Sequence, residues 1–210
     1  MKLIVITPAK DKEDETNIVT KMFESGLTTL HLRKPRYSTN QMSEYIKSIP
    51  AHYHNRIVIH SHHKLALKFE LKGIHMTRTH LVKKWKYWFV YQRLKLKFGT
   101  IFKSRSYSRL QYVYSEEDYN FNYYLIGTIY NRLTGGLYSG FYEEGVRAAI
   151  RNSNKKLVAR GGTTPEVVKK THDYGFHGIA FNSYLWDAET PYTNFLKILK
   201  TFKENDIELE

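Results

Sequence analysis

The chain has 210 residues, 41% of them apolar and 25% charged, which suits one folded domain and excludes wholesale disorder. It contains no cysteine, so disulfides, thiolate metal sites and cysteine nucleophiles are excluded. Lysine and arginine number 33 against 20 acids, a formal charge of +13 that attracts phosphorylated or polyanionic partners.

The first apolar run, KLIVIT at Lys2–Thr7, is too short for a signal segment and is followed by acids, so it reads as a strand. No stretch approaches the ~20 apolar residues of a membrane span, and the expected setting is a soluble, cytoplasmic chain. Further strands are expected at Thr29–Arg33, Arg56–His60, Gly73–Met76, Thr100–Lys103, Tyr123–Thr128, Lys156–Ala159 and Gly178–Phe181. Each is a compact apolar run without clean alternation, as parallel strands covered on both faces require.

Helical patterns separate them. Asp14–Ser25 places Ile18, Val19, Met22 and Phe23 on one face and stops at Gly26. Ser38–Ile49 opens on a candidate N-cap, Ser38, and Lys64–Phe69 is short. Leu81–Phe98 is long and basic; between Leu71 and Ser115 there is no Asp or Glu, and Trp85, Tyr87, Trp88, Phe89 and Tyr91 are interleaved with lysines. The simplest expectation is a basic outer helix whose aromatics pack inward. A nucleic-acid face is disfavoured, because no groove-reading motif accompanies the charge. Glu143–Asn152, Thr164–Tyr174 and Pro191–Glu204 complete the set, Thr164 preceding Pro165 in the order of an N-cap and an N1 proline; Ser108–Phe121 carries no clear element.

Two segments repeat a local pattern, Phe69-Glu-Leu-Lys-Gly-Ile-His75 and Tyr174-Gly-Phe-His-Gly-Ile-Ala180, each a helix end running through glycine into a strand. Eight strands alternating with about eight helices is the count of a single-domain (β/α)₈ TIM barrel spanning residues 1–210. A doubly wound open sheet is the rival, but no G-x-G-x-x-G follows the first strand.

In such a barrel ligands bind where strands end. Arg33, Lys34 and Arg36 follow the second strand, where cations could meet a phosphate or diphosphate. In VIHSHH, residues 58–63, His60 and His62 sit two apart and could converge on a metal if both were on a strand, although a polar strand end is the favoured reading. Tyr130–Gly140 is glycine-rich and could be a mobile loop over a ligand or a plain excursion. The most specific stretch is LVARGGTTP at 157–165: Gly161 and Gly162 allow a phosphate to approach backbone N–H groups ahead of a helix start. Asn182 and Ser183, ending the eighth strand, would complete that pocket.

The order of these motifs resembles the thiamine phosphate synthases and their TenI-like relatives, particularly the short Bacteroidetes type. The resemblance covers nearly the whole chain and rests on LHLRKP (30–35), IVIHSHHKLA (57–66), LKGIHM (71–76), YYLIGTIYN (123–131), LVARGGTTPE (157–166) and GFHGIAFNSYLW (175–186). It implies a (β/α)₈ barrel of thiamine biosynthesis, a Mg²⁺ cofactor, and a transferase that joins a hydroxymethylpyrimidine diphosphate to a thiazole phosphate, releasing diphosphate. Thiazole phosphate and thiamine phosphate are the implied partners, a homodimer is compatible with the resemblance, and no membrane is implied.

Carried over by position, the resemblance makes Arg33 a candidate catalytic cation; the family's lysine falls on Pro35, and Lys34, with Arg36 as the alternative, is the candidate to stand in for it. His31 (a glutamine in the family), His60, Thr134, Gly161, Gly162, Thr163, Asn182 and Ser183 become ligand-binding candidates. The family's Asn-Asp pair after strand 3 falls on His60 and Ser61, its second Mg²⁺ aspartate near His80, and its strand-6 lysine on Gly135. The family's Ser-x-His after strand 5 finds no histidine in Lys103–Ser108, and Arg160 stands where the family has an apolar residue. No metal ligand is therefore assigned. Alternatives to synthase activity are a non-catalytic phosphate-binding barrel of regulatory role and a TenI-like tautomerase.

Overall fold

A computed structural model describes residues 1–114 and 120–210. Eight parallel strands close in sequential order into a barrel. They are β1 (Lys2–Ile6), β2 (Thr29–Leu32), β3 (Ile57–Ile59), β4 (Gly73–Met76), β5 (Lys103–Tyr107), β6 (Tyr123–Ile126), β7 (Leu157–Arg160) and β8 (Gly178–Phe181). The helices around them are α1 (Glu15–Glu24), α2 (Thr39–Lys47), α3 (Lys64–Lys68), α4 (Arg78–Val82), α5 (Lys84–Phe98), α6 (Glu143–Arg151), α7 (Val168–Asp173), α8 (Ser183–Trp186) and α9 (Pro191–Glu204). The (β/α)₈ expectation holds.

Strand alternation makes two cores. The larger lies between sheet and helices and includes Leu3, Val5, Leu30, Leu32, Ile57, Ile59, Ile74 and Phe181, all buried. The smaller fills the barrel interior with Ile4, Ile6, Tyr123, Leu125, Val158 and Ala180. Inward positions of β2, β4 and β5 are polar instead: His31, His75 and Ser104 are buried in the same interior, where β3 contributes Val58. The barrel interior thus carries its buried polar groups on β2, β4 and β5, and that asymmetry positions the site.

Local sequence explains the joints. Ser38 caps α2 through the Gln41 N–H while the Gln41 side chain returns to the Ser38 N–H, a reciprocal cap worth roughly 1 kcal/mol. In the two repeated segments, Glu70 and Gly175 both take left-handed φ, 53° and 87°. The glycine that opens each following strand sits where a Cβ would collide: one on Gly73 would lie 2.3 Å from the Phe102 carbonyl oxygen, one on Gly178 2.8 Å from that of Lys2. The repeat is the signature of strand starts squeezed against a neighbouring strand.

Four expectations need correction. Strand β5 occupies Lys103–Tyr107, and the apolar Thr100–Lys103 run precedes it. The interior here selects serines to bond a histidine, so the strand lacks an apolar signature. Leu81–Phe98 is two helices, α4 and α5, that meet at Lys83. The aromatics of α5 do not all pack inward: Trp85 is 79% exposed and Phe89 73%, whereas Leu94 is buried and Tyr87, Val90 and Tyr91 are half-buried. The helix expected from Thr164 begins as a 3₁₀ turn over Pro165–Val167, with no side-chain cap from Thr164. Of the unassigned Ser108–Phe121 stretch, Leu110–Tyr114 forms a 3₁₀ turn and residues 115–119 lie outside those described.

Candidate active site

At the C-terminal ends of the strands lies a cavity of about 200 Å³. Arg33, just past β2, His60, just past β3, and Arg160, the last residue of β7, all line it. Thr128, Gly161, Gly162, Thr163, Asn182 and Ser183 line it as well. No carboxylate lines the cavity among the described residues, and neither guanidinium has an ion-pair or side-chain hydrogen-bond partner among them. Burial, and then the charge of Arg33, hold the Arg160 guanidinium below its ordinary pKa. A larger, open groove of about 650 Å³ lies at the opposite end of the barrel, lined by residues such as Pro50, His52 and Glu70, away from the strand ends where barrel chemistry resides.

The glycine wall is built for close approach. Gly161 and Gly162 have φ of 84° and 68°, and a Cβ on Gly162 would lie 1.9 Å from the Tyr130 carbonyl oxygen. The Arg160 and Gly161 carbonyls accept from the Ile129 and Tyr130 N–H groups, which fixes the turn. Thr163 donates its hydroxyl to the Ala180 carbonyl at 2.7 Å, so that side chain braces β8. Asn182 donates to the Ile6 and Thr7 carbonyls at 2.8 and 3.1 Å, closing β8 onto β1. Ser183 opens α8 and also borders a second recess with Asn131 and Tyr138.

Beneath the cavity is a histidine network. His31 Nδ1 and His60 Nε2 share a hydrogen bond of 2.9 Å, and His31 Nε2 reaches the Tyr123 hydroxyl. His60 stacks on His75 with ring centroids 4.1 Å apart. His75 is held by Ser104 and Ser106 at 2.9 and 3.2 Å. Burial, and then the charges of Lys72 and Arg160, push the pKa of His31 down to about 3. Burial and neighbouring imidazoles hold His60 and His75 well below the usual histidine range as well. These rings are neutral at pH 7.

One donor nitrogen from each of these three rings lies within 4.8 Å of the others. They nevertheless fit Mg²⁺ poorly, since that ion takes hard oxygen ligands and the cluster offers imidazoles. Near-parallel stacking of His60 and His75 also aims their in-plane lone pairs side by side instead of at one point. The residues present suit neutral hydrogen bonding and anion binding better than a hard divalent cation.

Several candidates fall elsewhere. Lys34 is buried in an ion pair with Glu15 at 2.5 Å and with Asp11 at 3.2 Å, and does not line the cavity. His62 does not project beside His60: β3 ends at Ile59, His62 turns to φ 53°, and its ring binds Thr39 and the Tyr37 carbonyl. Thr134 is exposed in the loop after β6, where its hydroxyl accepts from the Gly136 N–H. Sequence reasoning missed His75, Ser104 and Tyr123 as site neighbours. Period-two alternation back from His75 to Gly73, a strand-opening glycine, was the signal available for the first.

The chain is thus a parallel eight-stranded (β/α)₈ barrel with a cation-rich, glycine-walled cavity at its strand ends. The chain belongs to the thiamine monophosphate synthase family, which it matches over residues 3–185. It is 20% identical to a thiamine-phosphate synthase of Methanobrevibacter smithii over 203 residues, 95% of this chain and 94% of that one. Among solved structures it is similar to a thiamine phosphate pyrophosphorylase from Bacteroides thetaiotaomicron, with a TM-score of 0.78 and 27% identity over 97% of this chain and 98% of that one. A thiamine phosphate pyrophosphorylase from Pyrococcus furiosus superposes with a TM-score of 0.74 at 20% identity, covering 97% and 96% of the two chains.

Proposed function

We propose that this chain is a synthase-type barrel of thiamine biosynthesis whose cavity takes thiazole phosphate or thiamine phosphate, and whose Mg²⁺-dependent condensation is strongly weakened. The observation that carries this reading is the lining of the cavity: two guanidiniums and a glycine turn, with no carboxylate among the described residues. The phosphate would rest on the Gly161–Gly162 turn and Ser183, with Arg33 and Arg160 supplying charge. His60 and Ser61 stand where, by resemblance, the family keeps an Asn and a metal-binding Asp. This chain's own residues bind the phosphate, orient the ligand against the neutral His60 edge and exclude water at the barrel floor.

A synthase assay with both substrates and Mg²⁺ tests it, run on the natural chain and on the His60→Asp, Ser61→Asp double variant. Turnover near background in the first and a Mg²⁺-dependent gain in the second are expected. Robust turnover of the natural chain that EDTA abolishes would overturn the weakened-activity reading.

A further inference from the structure

The cavity is charged in one sense only. Arg160 ends β7 pointing into the barrel mouth, Arg33 follows β2, and both line the same space. The groups below them are His31, His60 and His75, tied to one another and to Tyr123, Ser104 and Ser106, so nothing anionic approaches from the floor. Two guanidiniums left without a carboxylate repel an approaching divalent cation, because no nearby negative charge offsets the repulsion. The same pair attracts a dianion, and each planar guanidinium can give two parallel N–H bonds to phosphate oxygens.

We propose that Arg160, together with Arg33, clamps a diphosphate group directly, in place of the metal ion that the family's chemistry implies. The inference rests on the phosphate-cavity reading above and adds a ligand, the diphosphate group, and a consequence: its binding without metal. The two positive charges do for the anion what one divalent ion does elsewhere, and they are fixed to the barrel by strand ends. Inorganic phosphate, offering fewer oxygens and less charge, binds more weakly at the same place.

Calorimetric titration with inorganic diphosphate tests it, in EDTA and in Mg²⁺, with inorganic phosphate and thiazole phosphate as further arms. Saturable diphosphate binding in EDTA, no weaker than in Mg²⁺, is expected. Arg160→Leu should weaken it about tenfold or more, the loss of at least one charge-assisted contact, and Arg160→Lys should weaken it less. Circular dichroism and the thermal transition establish that both variants fold. Diphosphate binding that requires Mg²⁺, a folded Arg160→Leu variant that binds as the natural chain does, or phosphate binding as tightly as diphosphate would each overturn the clamp. If thiazole phosphate still binds in those cases, the cavity reading stands and only the clamp falls. If neither diphosphate nor thiazole phosphate binds in any buffer, both fall.

Discussion

Lys34 Nζ lies 2.5 Å from Glu15 Oε2, with both side chains buried, and the Tyr45 hydroxyl donates to the other Glu15 oxygen at 2.8 Å. A cation that follows β2 in sequence is therefore spent on joining the β2 end to α1. Removing Glu15 leaves the buried Lys34 only the exposed Asp11 at 3.2 Å, so Glu15→Ala is expected to destabilise by about 3 kcal/mol. The double replacement Glu15→Leu, Lys34→Met should recover most of that loss. Urea unfolding measures it. Phosphate-ligand binding by the folded fraction of Lys34→Met should be unchanged; selective loss of binding at full stability would return Lys34 to the site.

Acid should unfold this barrel early. The folded pKa of His31 is pushed down to about 3 by burial, and that of His63 likewise, while a histidine of the unfolded chain titrates near its ordinary value of about 6.5. Between those values the unfolded state binds more protons, so stability is full above about pH 6.5 and falls as pH drops toward 3. Glutamine at position 31 cannot titrate and can keep one bond to His60 or Tyr123. His31→Gln is thus expected to flatten the stability profile between pH 6.5 and 4, as read by thermal denaturation at several pH values. An unchanged slope would mean that His31 is not buried in its neutral form.

Gly162 is the most constrained point of the cavity wall. Alanine there would hold a left-handed φ of 68° and place its Cβ 1.9 Å from the Tyr130 carbonyl oxygen. The left-handed conformation alone costs about 1 kcal/mol, and the backbone clash forces the turn itself to move. Gly162→Ala should lower the thermal transition and abolish binding of thiazole phosphate, whereas Gly140→Ala, with φ 91° but no atom within 4 Å of the new Cβ, should leave binding intact.

The tryptophans report on α5. Trp186 is 1% exposed, whereas Trp85 and Trp88 are 79% and 53% exposed. Acrylamide should quench most of the natural chain's emission, and the Trp85→Phe, Trp88→Phe variant should show a blue-shifted, protected signal from Trp186. A protected signal in the natural chain would mean that the α5 face is covered in solution.

The parts legible in the sequence were those where one residue decides the backbone. Gly73 and Gly178 begin their strands where expected, and Ser38 caps α2, because a close strand neighbour or an orphan N–H selects the residue type. The GG turn was legible for the same reason. Strand β5 was not, since Ser104 and Ser106 face a histidine and carry no apolar pattern. Nor was the histidine network, whose members come from β2, β4 and the end of β3 and meet only when the barrel closes. Lys34 looked like a site cation because position after a strand does not reveal which way a side chain turns. Arg160 was visible as a departure from the family, and its role depends on facing Arg33 across a space that only the fold creates.

The cavity between Arg33, Arg160 and the Gly161–Gly162 turn is expected to bind a phosphorylated ligand of thiamine biosynthesis. Calorimetric titration of the natural chain with thiazole phosphate and with thiamine phosphate tests it most directly. Saturable binding at one site per chain, weakened by salt and by Arg33→Ala, is the predicted result. Absence of binding by both ligands at low ionic strength would contradict the account.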